Sequence, residues 1–248
     1  MKKKPSLNIG CSGWNYDHWK GLFYPGESSS PAWFKEYSSV FSTVEINNTF
    51  YQLPEASTFR KWHDQAGSGF IYAVKANRFI THMKKLKEPR RPVERFLKRA
   101  RLLKEHLGPI LFQLPPHWKV NPERLERFTE VLPGGLIYVF EFRERSWYNG
   151  EIYDLLSSKG MSMCIHDMKG SKSPVISVGP VCYIRFHGTT SKYGGKYSLG
   201  SIRKWAKYIK KILSGGKDVY AYFNNDAEAN APKNALQLIR EVGACHPG

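Results

Sequence analysis

The chain has 248 residues, 41% hydrophobic and 14% aromatic, enough for a large buried core and close to the usual size of one α/β barrel. No apolar run approaches the roughly 18 residues that a bilayer crossing needs, and MKKKPSLNIGC passes into a strand-like segment without a cleavage region, so a soluble, cytoplasmic protein is expected. Lys and Arg number 38 against 21 Asp and Glu, a formal charge of +17 that draws polyanions and brings nucleic acid into consideration.

LNIGCS is the first β-rich run, and its exit, GCSGWNYDHWKGLFYPG, is crowded with Trp14, Tyr16, Trp19, Phe23 and Tyr24. Core and lid packing accounts for most of these rings, and a few are free to stack on a ligand. STVEINN, FIYAVKA, PILFQLP, LIYVFEF, MSMCIHD, VCYIRFH and VYAYFNN follow as strand-like runs. Between them, amphipathic stretches near 31–40, 55–66, 92–107, 122–131, 148–158, 199–213 and 231–242 read as helices, several opened by Pro or Ser. The sixth connection, MKGSKSPVISVG, shows no clear helix. Eight alternating units predict a closed parallel (β/α)8 barrel, a single domain over 1–248.

The third connection carries the densest charge. HMKKLKEPRRPVERFLKRARLLK holds ten Lys and Arg against Glu88 and Glu94. Val93, Phe96, Leu97, Ala100 and Leu103 fall at helical spacing, which leaves Arg95, Lys98, Arg99 and Arg101 on the solvent side as candidate nucleic-acid contacts. RKWAKYIKK, 203–211, is a second basic helical stretch. A solvated helix face explains either equally well.

In such a barrel the functional face lies at the C-terminal ends of the strands, and period two decides which residues point inward. Glu45 and Asn47 share one face of the second strand. Lys75 follows Ala73 and Ile71, and Gln113 follows Leu111. Glu141 and Arg143 alternate with Phe140 and Phe142, and Arg185 and His187 with Ile184 and Phe186. Asp167 ends the sixth strand; Asn224 and Asn225 close the eighth, one of them facing in. The result is a polar ring of mixed sign, read either as a structural ion-pair network or as a binding cleft.

Cations beside carboxylates suit an anionic substrate, with Arg and Lys clamping a phosphate or carboxylate while an acid moves protons. HGTTSKYGGKYSLGS, after the seventh strand, adds hydroxyls, Lys192, Lys196 and glycines ahead of a helix start, where barrels often bind phosphate. No GxSxG, P-loop, HExxH or organic-cofactor motif is present, and Lys75, Arg143 and Arg185 oppose a cation, so no required metal is expected. Cys11, Cys164 and Cys182 sit inside hydrophobic runs, and with Cys245 they form no CxxC pair, which points to buried free thiols.

IGCSGWNYDHWKGLFYP, VEINNTFYQLP, FIYAVKANRFITH, GPILFQLPP, FEFRERSW, IRFHG and VYAYFNND followed by APKNA resemble the successive motifs of the YecE-like family, domain of unknown function number 72. The likeness runs from about Leu7 to Val242. It implies a TIM-type barrel and no established reaction. Its motif residues fall on Trp14, Glu45, Asn47, Phe50, Tyr51, Lys75, Gln113, Pro115, Glu141, Arg143, Trp147, Asp167, Arg185, His187, Gly188, Tyr197, Asn224 and Asn225, which include the inward ring.

Two functions are therefore expected in competition. One is an enzyme on a phosphate-bearing substrate, nucleic acid among the candidates, with Glu45, Glu141, Asp167 and His187 as acid/base groups. Trp14, Asn47, Tyr51, Lys75, Gln113, Arg143, Arg185, Tyr197, Asn224 and Asn225 would bind the substrate. The other is a nucleic-acid-binding protein without chemistry, using the outer helices.

Overall fold

The computed structural model describes residues 4–190 and 193–243. Eight strands follow one another as a closed parallel barrel in chain order: β1 Leu7–Cys11, β2 Thr43–Ile46, β3 Ile71–Lys75, β4 Leu107–Gln113, β5 Tyr138–Glu141, β6 Ser162–Asp167, β7 Cys182–Phe186 and β8 Val219–Phe223. The helices are α1 Trp33–Ser38, α2 Asn48–Tyr51, α3 Ala56–Gln65, α4 Arg90–Ala100, α5 Pro122–Glu130, α6 Gly150–Ser158, α7 Leu199–Ser214 and α8 Asn230–Val242. The connection from β6 to β7 carries no helix among the described residues, as its sequence predicts. Among the described residues, no helix is long and apolar enough to cross a membrane.

Packing divides the chain into two compact units. The first contains the described residues up to Glu45, Ile165–Lys172 and those from Val181 on. Here β8 pairs with β1 from Leu7↔Val219 to Cys11↔Phe223, and with β7 from Cys182↔Val219 to Phe186↔Phe223. α7 turns Ile202, Ala206 and Ile209 inward at helical spacing, and α8 buries Ala231, Ala235, Leu238 and Ile239.

β1 and β2 meet in register only at Cys11↔Val44. Tyr37, from α1, makes up for the sparse ladder: its hydroxyl accepts from Cys11 N at 2.8 Å and donates to Thr43 O at 2.9 Å. Gly10 makes room for this. A Cβ there would stand 2.2 Å from Thr43 O and 2.8 Å from the Tyr37 hydroxyl.

The second unit contains Ile46–Cys164 and Ser173–Pro180. β3 pairs with β4 and β4 with β5, with a register shift between Tyr72 and Val74 and with Lys75↔Leu111 and Gln113↔Glu141 at the C-terminal end, and β5 pairs with β6 at Val139↔Ser162 and Phe140↔Met163. α4 buries Val93, Phe96, Leu97 and Ala100, the face its spacing predicts. Asn121 and Asn149 cap α5 and α6 by accepting from Arg124 N and Ile152 N, at 2.9 and 3.1 Å.

Two local elements were not legible. β2 stops at Ile46, and Asn47 turns helical (φ −101°, ψ −22°) to open α2, so the alternation that paired Asn47 with Glu45 does not extend to it. A single π turn, Phe79–Met83, follows β3. Cys11, Cys164 and Cys182 are buried free thiols, and burial pushes the Cys11 thiol well above its ordinary pKa. Cys245 lies outside the described residues.

Candidate functional site

The charges at the strand ends form two separately built groups. In the first unit, Glu45 is wholly buried at the end of β2. Its Oε1 accepts from Ser12 Oγ at 2.7 Å and from Arg185 Nε and Nη2 at 3.1 and 2.7 Å; its Oε2 accepts from Tyr183 Oη at 2.6 Å. Four donors therefore converge on one carboxylate, which is how a buried ion is kept at tolerable cost. Burial first, and then the Glu45 charge, push the Tyr183 phenol well above its usual range, so it remains a donor.

The group continues along β7 and β8. Arg185 Nη1 lies 3.4 Å from His187 Nε2, and His187 Nδ1 lies 3.3 Å from Asn224 Nδ2. The two ring nitrogens of His187 thus each meet a nitrogen of a neighbouring side chain, and which of them carries the proton sets the donor and acceptor roles along the group. Asn224 is thus the member of the pair that reaches the charged group. Asn225 donates to Gly195 O at 2.9 Å and to Asn234 Oδ1 at 3.1 Å, tying the end of β8 to α8.

In the second unit, Glu141 Oε1 accepts from Gln113 Nε2 at 3.0 Å and from Arg143 Nη2 in a close ion pair. Lys75 is 7% exposed, and its Nζ stands 3.9 Å from the Phe50 ring centroid. A desolvated ammonium over a ring face is held by about 2 kcal/mol or more. The Phe50 ring also meets His82 edge-on at 4.9 Å. Burial lowers the His82 pKa to about 4, with Lys75, Arg78 and Arg143 pushing the same way and Glu141 opposing them. His82 is consequently a neutral imidazole at physiological pH, in a net cationic setting. Tyr51 and Phe79 are large apolar residues left 69% and 41% exposed.

The remaining predicted residues lie as follows. Asp167 Oδ1 pairs with Lys172 Nζ at 2.8 Å, and Trp14 packs edge-on against Phe34 at 5.4 Å. Asn47 is half-buried beside α2. Tyr197 is buried, its hydroxyl donating to Asp167 O at 3.1 Å and accepting from Gly188 N at 3.3 Å. In the loop after β7, Thr189 N and Thr190 N both donate to Gly194 O, at 2.9 and 3.4 Å, so these amides turn inward on the loop itself. Ser191 and Lys192, part of the expected phosphate loop, lie outside the described residues. On α4, Arg95 and Lys98 are exposed, as is Arg101 just beyond it, while Arg99 Nη2 donates to Glu55 Oε2 at 2.8 Å.

Sequence reasoning missed Ser12, Tyr183 and His82. Tyr183 was within reach, because period two places it on the face of Arg185. Ser12 reads as an ordinary loop serine, and His82 as the first residue of a basic run.

The protein family of unknown function DUF72 matches residues 8–247. The UPF0759 protein YunF of Bacillus subtilis is 27% identical over 94% of this chain and 93% of its own length. A DUF72 family protein from Thermotoga maritima superposes with a TM-score of 0.85 at 28% identity, covering 95% of this chain and 98% of that one. Another, from Enterococcus faecalis, gives 0.83 at 18% identity over 96% of each chain, a likeness of fold alone. Its own sequence, matched by the family over nearly its whole length, makes this chain a member of DUF72.

Proposed function

We propose that the chain is an enzyme that binds a phosphate-bearing substrate at the C-terminal ends of β3, β4 and β5 and acts on it by general acid/base chemistry. The observation that carries this reading is His82, held neutral among Lys75, Arg78 and Arg143. A dianion placed there relieves the mutual repulsion of the cations and raises the imidazole pKa at once. Lys75 and Arg143 hold the anion, Glu141 positions Arg143, and the neutral His82 ring accepts a proton from the attacking group. The exposed residues Tyr51 and Phe79 supply rings for a base or sugar.

The test is turnover, with ligand-induced melting shifts, across phosphorylated sugars, nucleotides and nicked or abasic DNA. Activity lost in His82→Gln with substrate binding retained supports the reading. Absence of turnover and of any shift that Lys75→Met removes would sink it.

A second reading rests on a different observation. Arg95, Lys98 and Arg101 are exposed and have no ion-pair partner among the described residues, which suits backbone contact with nucleic acid without chemistry.

A further inference from the structure

At the opposite, N-terminal ends of β3 and β4, three side chains converge that no local motif announces. His63 sits in the last turn of α3. Glu105 and His106 close the 3-10 turn Arg101–His106 that leads into β4. One ligand atom from each lies within 4.8 Å of the others, and Glu105 Oε1 is 3.5 Å from His63 Nε2 and 3.9 Å from His106 Nε2. Ligands bound at ~2.0 Å on a tetrahedral ion stand roughly 3.3 Å apart, so small side-chain movements close this set on a cation.

Both rings are already oriented for it. His106 Nδ1 lies 2.8 Å from Phe70 O, an acceptor only, so Nδ1 carries the proton and Nε2 presents a lone pair. His63 Nδ1 lies 2.8 Å from Asp64 Oδ1, which fixes the same tautomer. Its Nε2 is buried and makes no hydrogen bond among the described residues. A backbone carbonyl behind one ring and a carboxylate behind the other are the outer partners that metal-bound histidines use. The main chain is turned to suit: Lys104 takes φ 48°, ψ −122°, a strained conformation for a residue with a side chain, and delivers Glu105 and His106 toward α3.

We propose that His63, Glu105 and His106 bind one divalent zinc-type ion, clipping the end of α3 to the entrance of β4. Two imidazoles and a carboxylate select a borderline ion over magnesium or calcium, which take all-oxygen sets. Three protein ligands leave a fourth position, which faces an open pocket of ≈ 470 Å³ whose wall also includes Ala66, Ser68 and Gly69. This site is separate from the proposed anion site, and nothing in the acid/base reading depends on it.

The experiment uses the full chain without a polyhistidine tag, stripped by chelator and titrated with zinc against a chromophoric competitor. One ion per chain is expected, with a higher melting temperature in excess zinc. His63→Gln and His106→Gln should each weaken binding by at least about 100-fold, and Asp64→Asn by about 10- to 100-fold through the ring it orients. Asp64 is exposed, so its variant keeps the test valid if a histidine variant misfolds. Cobalt in place of zinc should give the intense visible bands of a four-coordinate site, absent in the histidine variants. No uptake at micromolar free zinc would overturn the proposal. So would uptake left unchanged by Asp64→Asn and by whichever histidine variants fold.

Discussion

Arg185 donates through both Nε and Nη2 to a single oxygen of Glu45, at 3.1 and 2.7 Å, with both side chains out of solvent. Ser12 and Tyr183 fill the remaining directions around the carboxylate, so the pair is a closed arrangement within its own unit. Removing one charge from such a pair strands the other, at a cost of roughly 3–5 kcal/mol. Removing both should cost much less than the sum. A double-mutant cycle in urea with Glu45→Gln and Arg185→Met is expected to show a coupling energy above about 1 kcal/mol. Additive losses would mean that each charge is solvated separately.

What the sequence disclosed followed from periodicity. The strands and the buried face of α4 repeat every two or 3.6 residues, and Val93, Phe96, Leu97 and Ala100 could be named from spacing alone. Periodicity does not say where an element stops, so Asn47 was carried one residue too far along β2. It also cannot choose between Asn224 and Asn225, because that choice depends on what lies opposite: His187 for one and Asn234 for the other. The cluster of His63 with Glu105 and His106 was invisible for a related reason. Its members come from two elements brought together only by the packing of α3 on the turn before β4.

The basic face of α4 gives a cheap test of nucleic-acid binding. Three phosphate contacts, from Arg95, Lys98 and Arg101, predict that log affinity for duplex DNA falls with log salt at a slope of roughly 2.7. Replacing all three by Glu should abolish binding and leave melting nearly unchanged, since these side chains are exposed and make no ion pairs among the described residues. Arg99→Glu should have a smaller effect on binding, because Arg99 is partly engaged by Glu55. A slope near zero for the unaltered chain removes this reading.

Tyr37 and Gly10 make a linked prediction about stability. Tyr37→Phe leaves Cys11 N–H and Thr43 C=O without the hydroxyl that serves both, a loss of about 1–3 kcal/mol. Gly10→Ala should cost more, because its Cβ would collide with Thr43 O as well as with the hydroxyl. The double variant should not recover stability, since the backbone collision survives loss of the hydroxyl. Urea midpoints of the three variants decide this, and recovery in the double variant would place the conflict at the phenol alone.

The last prediction concerns His82, whose pKa is lowered to about 4 by burial and by Lys75, Arg78 and Arg143. In the unfolded chain an ordinary histidine titrates near 6.5. Above that pH the ring is neutral in both states, and its contribution to stability is fully present. As pH falls below it, the unfolded chain takes up a proton that the folded one refuses, so stability declines until the folded ring titrates near 4. Because the ring is only half-buried, solvent screening limits the loss to on the order of 1 kcal/mol. His82→Gln should flatten that part of the pH profile. Inorganic phosphate at the proposed anion site should move the His82 resonance in the opposite sense, raising its pKa by about one unit or more, and Lys75→Met should abolish the response. A ring that titrates near 6.5 with or without phosphate would show that the cations around it are solvated, and the proton-accepting role proposed for His82 would lose its basis.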